Sequence, residues 1–152
     1  MTLVSGLGIQ AERDLVHRFW SEGFAVLRAP ASGGGTDLPR PDLIVGSVER
    51  QRFFVLEIKT IKRKVLYLQA EQIEGLIEFA NRLGFEPVLG VKFKWQGKGF
   101  LFLKVPEQLE QVRDSANYKI TLAEACRVGQ SFGELIGAYR QEKVEDYLKE
   151  KE

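Results

Sequence analysis

Residues 41–59 read PDLIVGSVERQRFFVLEIK, two apolar runs joined by a short polar turn. The first run begins directly after Asp42, and the second ends directly before Glu57. Side chains alternate along a strand, so Glu57 and Lys59 share one face of the second strand. In an antiparallel hairpin the start of one strand lies beside the end of the next, which brings Asp42 close to Glu57. The stretch therefore predicts a hairpin that carries two carboxylates and one amine at one end.

Charged side chains seldom interrupt strands this apolar without a partner or a function. Two carboxylates and a backbone carbonyl form a hard-oxygen pocket that suits Mg²⁺, and we expect Mn²⁺ to substitute for it. Such an ion polarises a phosphate and lowers the pKa of a bound water, which Lys59 would position or activate. The alternative is an ion pair of Lys59 with Glu57 or Asp42 on a solvated sheet face. The pattern favours a metal-dependent nuclease.

Two further residues extend the candidate site. Glu12 falls on or beside the apolar stripe of a helix predicted over residues 8–22, although a carboxylate near a helix N-terminus is also favoured by the helix dipole. Ser32 lies in a glycine-rich loop predicted over 29–40 and would donate a hydrogen bond to a phosphate, with Arg28 or Arg40 pairing with one. As a generic loop, this segment would be only a connector.

Basic residues follow the candidate site directly, at Lys62, Arg63 and Lys64, and basic and aromatic residues interleave again over 92–98. Phosphate contacts from such groups give salt-dependent, sequence-independent binding, whereas the alternative is a solvated charged face. The net charge of +1 hides an asymmetry: residues 1–104 carry 15 Lys and Arg against 11 Asp and Glu, and residues 105–152 carry 7 against 10. The first part is therefore the better candidate for binding a polyanion.

Length and composition fit one soluble globular domain over residues 1–152, with 44% hydrophobic and 28% charged residues. We expect no membrane span, because no stretch of about 20 apolar residues occurs. The single Cys126 and the lack of a visible signal peptide favour a reducing interior, and thus a cytoplasmic location. With one histidine, His17, at an expected solvated helix position, zinc sites and hydrolase triads have no support.

The periodicity predicts an α/β fold, a mixed central β-sheet flanked by α-helices. Gln72 borders the apolar stripe of the second helix, where a capping or surface role is favoured over contact with a metal-bound water. Residues 106–130 are weakly patterned, and residues 142–152 are expected to be a frayed, charged helix end with no chemistry. The helices are expected over 8–22, 69–83 and 132–152, and the strands over 24–28, 42–45, 53–60, 87–93 and 100–105.

Taken in order, six segments make the chain similar to the archaeal Holliday junction resolvases. The resemblance covers residues 8–105, a larger and more specific match than the PD and EIK motifs alone. The segments are GIQAERD at 8–14, GFAV at 23–26, RAPASG at 28–33, PDLI at 41–44, EIK at 57–59 and EQIEGLIEFA at 71–80.

The resemblance implies a restriction-endonuclease-like core, a Mg²⁺-dependent homodimer and paired nicks in a four-way DNA junction. It places Glu12, Asp42, Glu57 and Lys59 at catalytic positions and Ser32 at the catalytic serine of the loop. It also implies that basic residues at Arg13 and Arg28 contact DNA or support the structure. Two alternatives stay open: a restriction- or repair-type nuclease of the same core that cuts duplex or flap DNA, and a non-catalytic junction-binding module.

Overall fold

A computed structural model describes residues 6–30 and 37–138 of the chain. A mixed five-stranded sheet forms its centre, in the order β1-β2-β3-β5-β6, and only the β3–β5 pair is parallel. Its strands are β1 (Ala25–Arg28), β2 (Leu43–Ser47), β3 (Arg52–Ile61), β5 (Glu86–Phe93) and β6 (Leu101–Lys104). The mixed sheet predicted from the sequence is confirmed.

Helix α1 (Gly6–Ser21) covers one face of this sheet, and α2 (Ala70–Leu83) covers the other as the crossover between β3 and β5. Both helices end at a glycine in the left-handed region, Gly23 at φ +88° and Gly84 at φ +81°. Glycine takes this conformation without the steric cost that a Cβ imposes, so both helix ends are encoded locally. Within the described residues, no helix has the length and apolar character needed to cross a membrane.

Two hydrophobic cores lie on opposite faces of β3. The α1-side core contains Phe54 and Leu56 of β3, and the α2-side core contains Val55. Alternation along β3 therefore sends successive side chains into different cores. Other members are Leu15, Phe19, Leu43 and Phe132 on the α1 side and Ile73, Leu76, Leu89 and Ile120 on the α2 side.

The weakly patterned segment after residue 105 is more ordered than the sequence indicated. A second sheet, in the order β4-β8-β7, packs into the α2-side core together with a short helix. Strands of two to four residues are too short to show a period of two, so no pattern in the sequence predicts them. These elements are β4 (Val65–Leu68), β7 (Glu110–Gln111), β8 (Tyr118–Thr121) and α3 (Leu122–Val128).

The prediction of one continuous helix over 132–152 is wrong, because the helix that begins at Phe132 ends at Leu135. Helix α4 spans only Phe132–Leu135, started by a capping box between Ser131 and Glu134. Gly137 then takes φ +76°, and a Cβ there would lie 2.7 Å from an Arg52 guanidinium nitrogen. A left-handed residue cannot continue an α-helix, so the turn ends here. The charged segment 142–152 lies outside the described residues.

Replacing Ile120 tests whether the second sheet belongs to the same folding unit. Ile120 is 1% exposed in the α2-side core, so Ile120→Ala should cost about 2–5 kcal/mol in the free energy of unfolding, measured with denaturant. Val48→Ala, in the exposed turn between β2 and β3, should change it by less than about 0.5 kcal/mol. Equal effects of the two substitutions would contradict this packing.

Candidate active site

The antiparallel register of β2 and β3 places Asp42 opposite Glu57. The strands pair Leu43 with Leu56, and the Asp42 N–H donates to the Leu56 carbonyl at 3.0 Å, which extends the pairing by one residue. Directly opposite side chains on one face lie about 4.5–5.5 Å apart at Cβ. The predicted proximity of the two carboxylates is thus confirmed.

Asp42 is held from both sides by backbone hydrogen bonds. Its Oδ2 accepts from the Ile58 N–H at 2.7 Å, and its carbonyl accepts from the Ala29 N–H at 2.9 Å. The first bond fixes the carboxylate against β3, and the second ties the residue to the end of β1. One carboxylate oxygen of Asp42 therefore has a fixed position, and the carboxylate also interacts with the Glu57 side chain.

Lys59 completes the cluster on the same face. Its Nζ lies 3.5 Å from Glu57 Oε1, and the two side chains are 30% and 19% exposed. Two residues apart on one strand, they share the face that also carries Val55. The amine therefore sits beside the paired carboxylates, at the rim of the α2-side core.

Burial and, second, the charge of the neighbouring Asp42 carboxylate together raise the pKa of Glu57 from 4.5 to about 7. Lys59 opposes both effects through its charge and its hydrogen bond but does not offset them. Two carboxylates at the edge of an apolar core repel each other, so the site gains from any cation that binds both. Perturbed pKa values of this kind are concentrated at functional sites.

A solvent-open cleft of about 300 Å³ leads to Glu57. Its walls are the start of α2 and the segment just before β2, and it contains Arg40 and Gln72. A Cβ on Gly75 would lie 3.3 Å from the Pro39 Cβ, so the helix and this segment approach each other closely. Gln72, for which a capping or surface role was favoured, is exposed and lines the cleft beside Glu57.

Glu12 forms an ion pair with Arg28. Its Oε1 accepts a hydrogen bond from Arg28 Nε at 2.8 Å. Glu12 lies on helix α1, which covers the face of the sheet opposite to α2. No three His, Cys, Asp or Glu side chains within residues 6–30 and 37–138 lie close enough together to share a metal ion. Asp42 and Glu57 form the carboxylate pair that the structure describes, and the roles expected of Glu12 as a third metal ligand and a catalytic residue stay predictions.

The carboxylate pair of Asp42 and Glu57 fits a hard cation that keeps much of its own water, as Mg²⁺ does. The donors are oxygen atoms only, and the pKa of Glu57 is raised first by burial and then by the charge of Asp42, which a bound cation would counter. Softer metals prefer sulfur or imidazole ligands, which this cluster lacks among the described residues. The residues present thus fit Mg²⁺ or Mn²⁺.

The remaining candidate residues are distributed around this site. Arg13 is exposed on α1, and His17 is exposed as expected, whereas Arg28 is half-buried in its ion pair with Glu12. Lys62, Arg63 and Lys64 are exposed in the bend between β3 and β4. Ser32 lies outside the described residues, so its catalytic role stays a prediction.

Two acidic residues that line the cleft were not predicted from the sequence. Asp37 lies on the segment before β2, and Glu71 lies in the first turn of α2. Both are exposed and looked like ordinary surface charges. Only the approach of α2 to the Pro39 segment, a tertiary contact, brings them near Glu57.

Comparison with known proteins agrees with this arrangement. A family model described as archaeal Holliday junction resolvase (Hjc) matches residues 4–144, which extends the resemblance well past residue 105. The crossover junction endodeoxyribonuclease Hjc of Sulfolobus acidocaldarius is 37% identical over 85% of each chain. The protein of the same name from Archaeoglobus fulgidus is 30% identical over 90% of this chain and 93% of its own.

A solved structure supports the same assignment at the level of the fold. The 1.6 Å structure of Archaeoglobus fulgidus Hjc, titled a Holliday junction resolvase from an archaeal hyperthermophile, matches with a TM-score of 0.73 and 31% identity. The match covers 86% of this chain and 100% of that one. The expected restriction-endonuclease-like core, a mixed sheet flanked by helices, is confirmed. The chain therefore belongs to the archaeal Holliday junction resolvase family.

Proposed function

We propose that this chain is a crossover junction endodeoxyribonuclease that resolves four-way DNA junctions by paired, metal-dependent nicks. The observation that carries the proposal is the position of Asp42 opposite Glu57, with Lys59 at 3.5 Å, in a cleft open to solvent. Family membership supports the substrate, and the residues support the chemistry.

Asp42 and Glu57 hold a divalent cation, Mg²⁺ with Mn²⁺ as a substitute. The hydrogen bond from the Ile58 N–H presets the Asp42 carboxylate, so little reorganisation accompanies binding. When bound, such a cation supplies charge neutralisation at the scissile phosphate and acidifies a coordinated water. Binding also requires that Glu57 lose the proton that its raised pKa retains near neutral pH.

Lys59 acts beside this pair as a fixed positive charge. Its amine is partly buried and tethered by Glu57, so it lies where a phosphate must approach the carboxylates. There it orients the attacking water and balances the charge that develops on the phosphate. Gln72 and Arg40, on the cleft walls, lie on the path by which the strand enters.

Glu12 acts indirectly through its ion pair with Arg28. Since the Ala29 N–H binds the Asp42 carbonyl, a fixed Arg28 stabilises the chain where β1 meets Asp42. Ser32 adds a hydrogen bond to a phosphate, and Arg13, Lys62, Arg63 and Lys64 contact the DNA backbone. These contacts are independent of sequence, as expected for selection by shape.

The active unit is a homodimer. A four-way junction has two-fold symmetry, and two sites related by a two-fold axis can nick two opposed strands. A monomer with one carboxylate pair would cut one strand at a time. The dimer therefore accounts for paired nicks without a second kind of site.

Removing either carboxylate should separate cleavage from binding. Asp42→Asn and Glu57→Gln should each lower the rate of junction cleavage by more than about 100-fold, because the cation loses a ligand. Binding of the junction, measured with Ca²⁺ or EDTA present, should change little. Lys59→Ala should also lower the cleavage rate sharply.

Glu78→Gln provides the matched control on the outer face of α2, where Glu78 pairs with exposed Arg82. It should cleave at the rate of the unmodified protein. Cleavage at that rate by either carboxylate variant would overturn the metal site.

The substrate is tested by comparing a synthetic junction with its linear duplex arms and with a flap. Cleavage with Mg²⁺ should be confined to the junction, because selection rests on the shape of the branched DNA. Equal rates on junction and duplex would favour a restriction- or repair-type nuclease. Tight junction binding without cleavage in Mg²⁺ or Mn²⁺ would instead favour a binding module.

The raised pKa of Glu57 predicts a pH-dependent stability of the metal-free protein. Between pH 4.5 and about 7 the folded state binds more protons at Glu57 than the unfolded state, so stability falls as the pH rises through this window. The Glu57→Gln variant lacks this group, so at pH 8 its free energy of unfolding should exceed that of the unmodified metal-free protein by up to about 3 kcal/mol.

Denaturant unfolding in EDTA at several pH values measures the effect, with Glu78→Gln as the exposed control. Added Mg²⁺ should raise the stability of the unmodified protein at pH 8 but not that of Glu57→Gln. If the stability of Glu57→Gln varied with pH in the same way as that of the unmodified protein, the raised pKa would not belong to Glu57.

A further inference from the structure

Trp95 is the most exposed large aromatic side chain near the active-site end of the sheet. It lies in the turn between β5 and β6 and is 76% exposed. Its φ of +60° lies in the left-handed region, which is unfavourable for a bulky residue. The indole ring is therefore not packed in a core, and its backbone has a strained conformation. Backbone strain of this kind is concentrated at functional positions.

The charged residues of the two chain segments that meet at Trp95 are all basic. Lys62 Nζ lies 5.1 Å from the centre of the indole ring, which joins this turn to the bend after β3. The two segments that meet here, residues 58–70 and 87–106, contain eight Lys and Arg and no Asp or Glu. No ion pair with any carboxylate that the structure describes involves Lys62, Arg63, Lys64, Lys92, Lys94 or Lys98.

This basic aromatic surface is attached rigidly to the active-site strand. The Lys94 N–H donates to the Ile61 carbonyl at 2.8 Å, so the turn is fixed to the end of β3. Lys62 follows Lys59 by three residues, about 10 Å along an extended chain, which is the axial length of about three base pairs. A DNA strand whose phosphate lies at Lys59 would reach Trp95 within a few nucleotides.

We propose that Trp95 and the cations Lys62, Lys94 and Lys98 form a DNA-docking surface on which the indole stacks against an unpaired or unstacked base at the branch of the junction. The inference rests on the proposed function and adds to it a contact that selects branched DNA. The surface fits a polyanion because the charged residues of its two segments are all basic, and it fits a stacking partner because Trp95 presents an exposed indole ring. An intact duplex hides its base faces, whereas a branch point exposes them.

Replacing Trp95 by glycine separates a binding role from a structural one. Glycine takes φ +60° without strain, so Trp95→Gly should keep or raise the Tm of the protein. Loss of the stacked ring should raise the Kd for a four-way junction by about 5- to 100-fold. The Kd for linear duplex of the same sequence should change much less.

The second tryptophan, Trp20, offers the matched control. It is 69% exposed on α1, so Trp20→Ala should leave the Kd for the junction unchanged. Trp20→Phe leaves Trp95 as the single tryptophan, and its fluorescence should be quenched on titration with a junction in EDTA, where no cleavage occurs. Lys98→Gln should reduce the steepness with which the Kd rises with salt.

Each outcome decides for or against the surface. Unchanged junction affinity of Trp95→Gly, or unquenched Trp95 fluorescence at saturating junction, would overturn it. A lower Tm of Trp95→Gly would assign Trp95 to stability instead, and equal losses of affinity for junction and duplex would overturn stacking at a branch.

Failure of the proposed function would look different. The unmodified protein would then not cleave the junction with Mg²⁺, whatever the results for Trp95 binding. Cleavage by the unmodified protein together with normal binding by Trp95→Gly would retain the function and reject only this surface.

Discussion

The antiparallel register of β2 and β3 is the constraint on which the active site depends. It sets Asp42 opposite Glu57, and the Asp42 carboxylate accepts from the Ile58 backbone in the same strand pair. A slip of one residue would turn every side chain of one strand to the other face and separate the carboxylates. The register is fixed by two hydrophobic cores that hold opposite faces of β3, so packing and chemistry are specified by the same contacts.

Stability is given up locally to make this pair. Burial and the charge of Asp42 raise the pKa of Glu57 to about 7, so the metal-free protein holds two carboxylates in an unfavourable position. The apolar side chains of β3 compensate, because they are buried on both faces directly before Glu57. Functional sites commonly hold charged groups in such unfavourable positions, and the packing of the surrounding fold compensates for the lost stability.

Local patterns predicted the hairpin, the two long helices and the cluster of Asp42, Glu57 and Lys59, because each depends on residues close in the chain. They did not predict that Glu12 pairs with Arg28, since helical periodicity identifies a buried stripe but not which face of a sheet the helix will cover. The β4–β8 pairing joins segments far apart in sequence, and a pattern of four residues cannot indicate its partner. The contact between Lys62 and Trp95 likewise arises only from the parallel pairing of β3 with β5.

Gly75 has a consequence for how the cleft can change. Because this helix residue has no side chain, α2 rests directly against Pro39, a few residues before Asp42. The width of the cleft entrance therefore depends on the lack of a Cβ at Gly75, not on a large side chain. A larger residue at 75 would act as a spacer between helix and loop, shifting the whole entrance and the carboxylate behind it without touching DNA or metal.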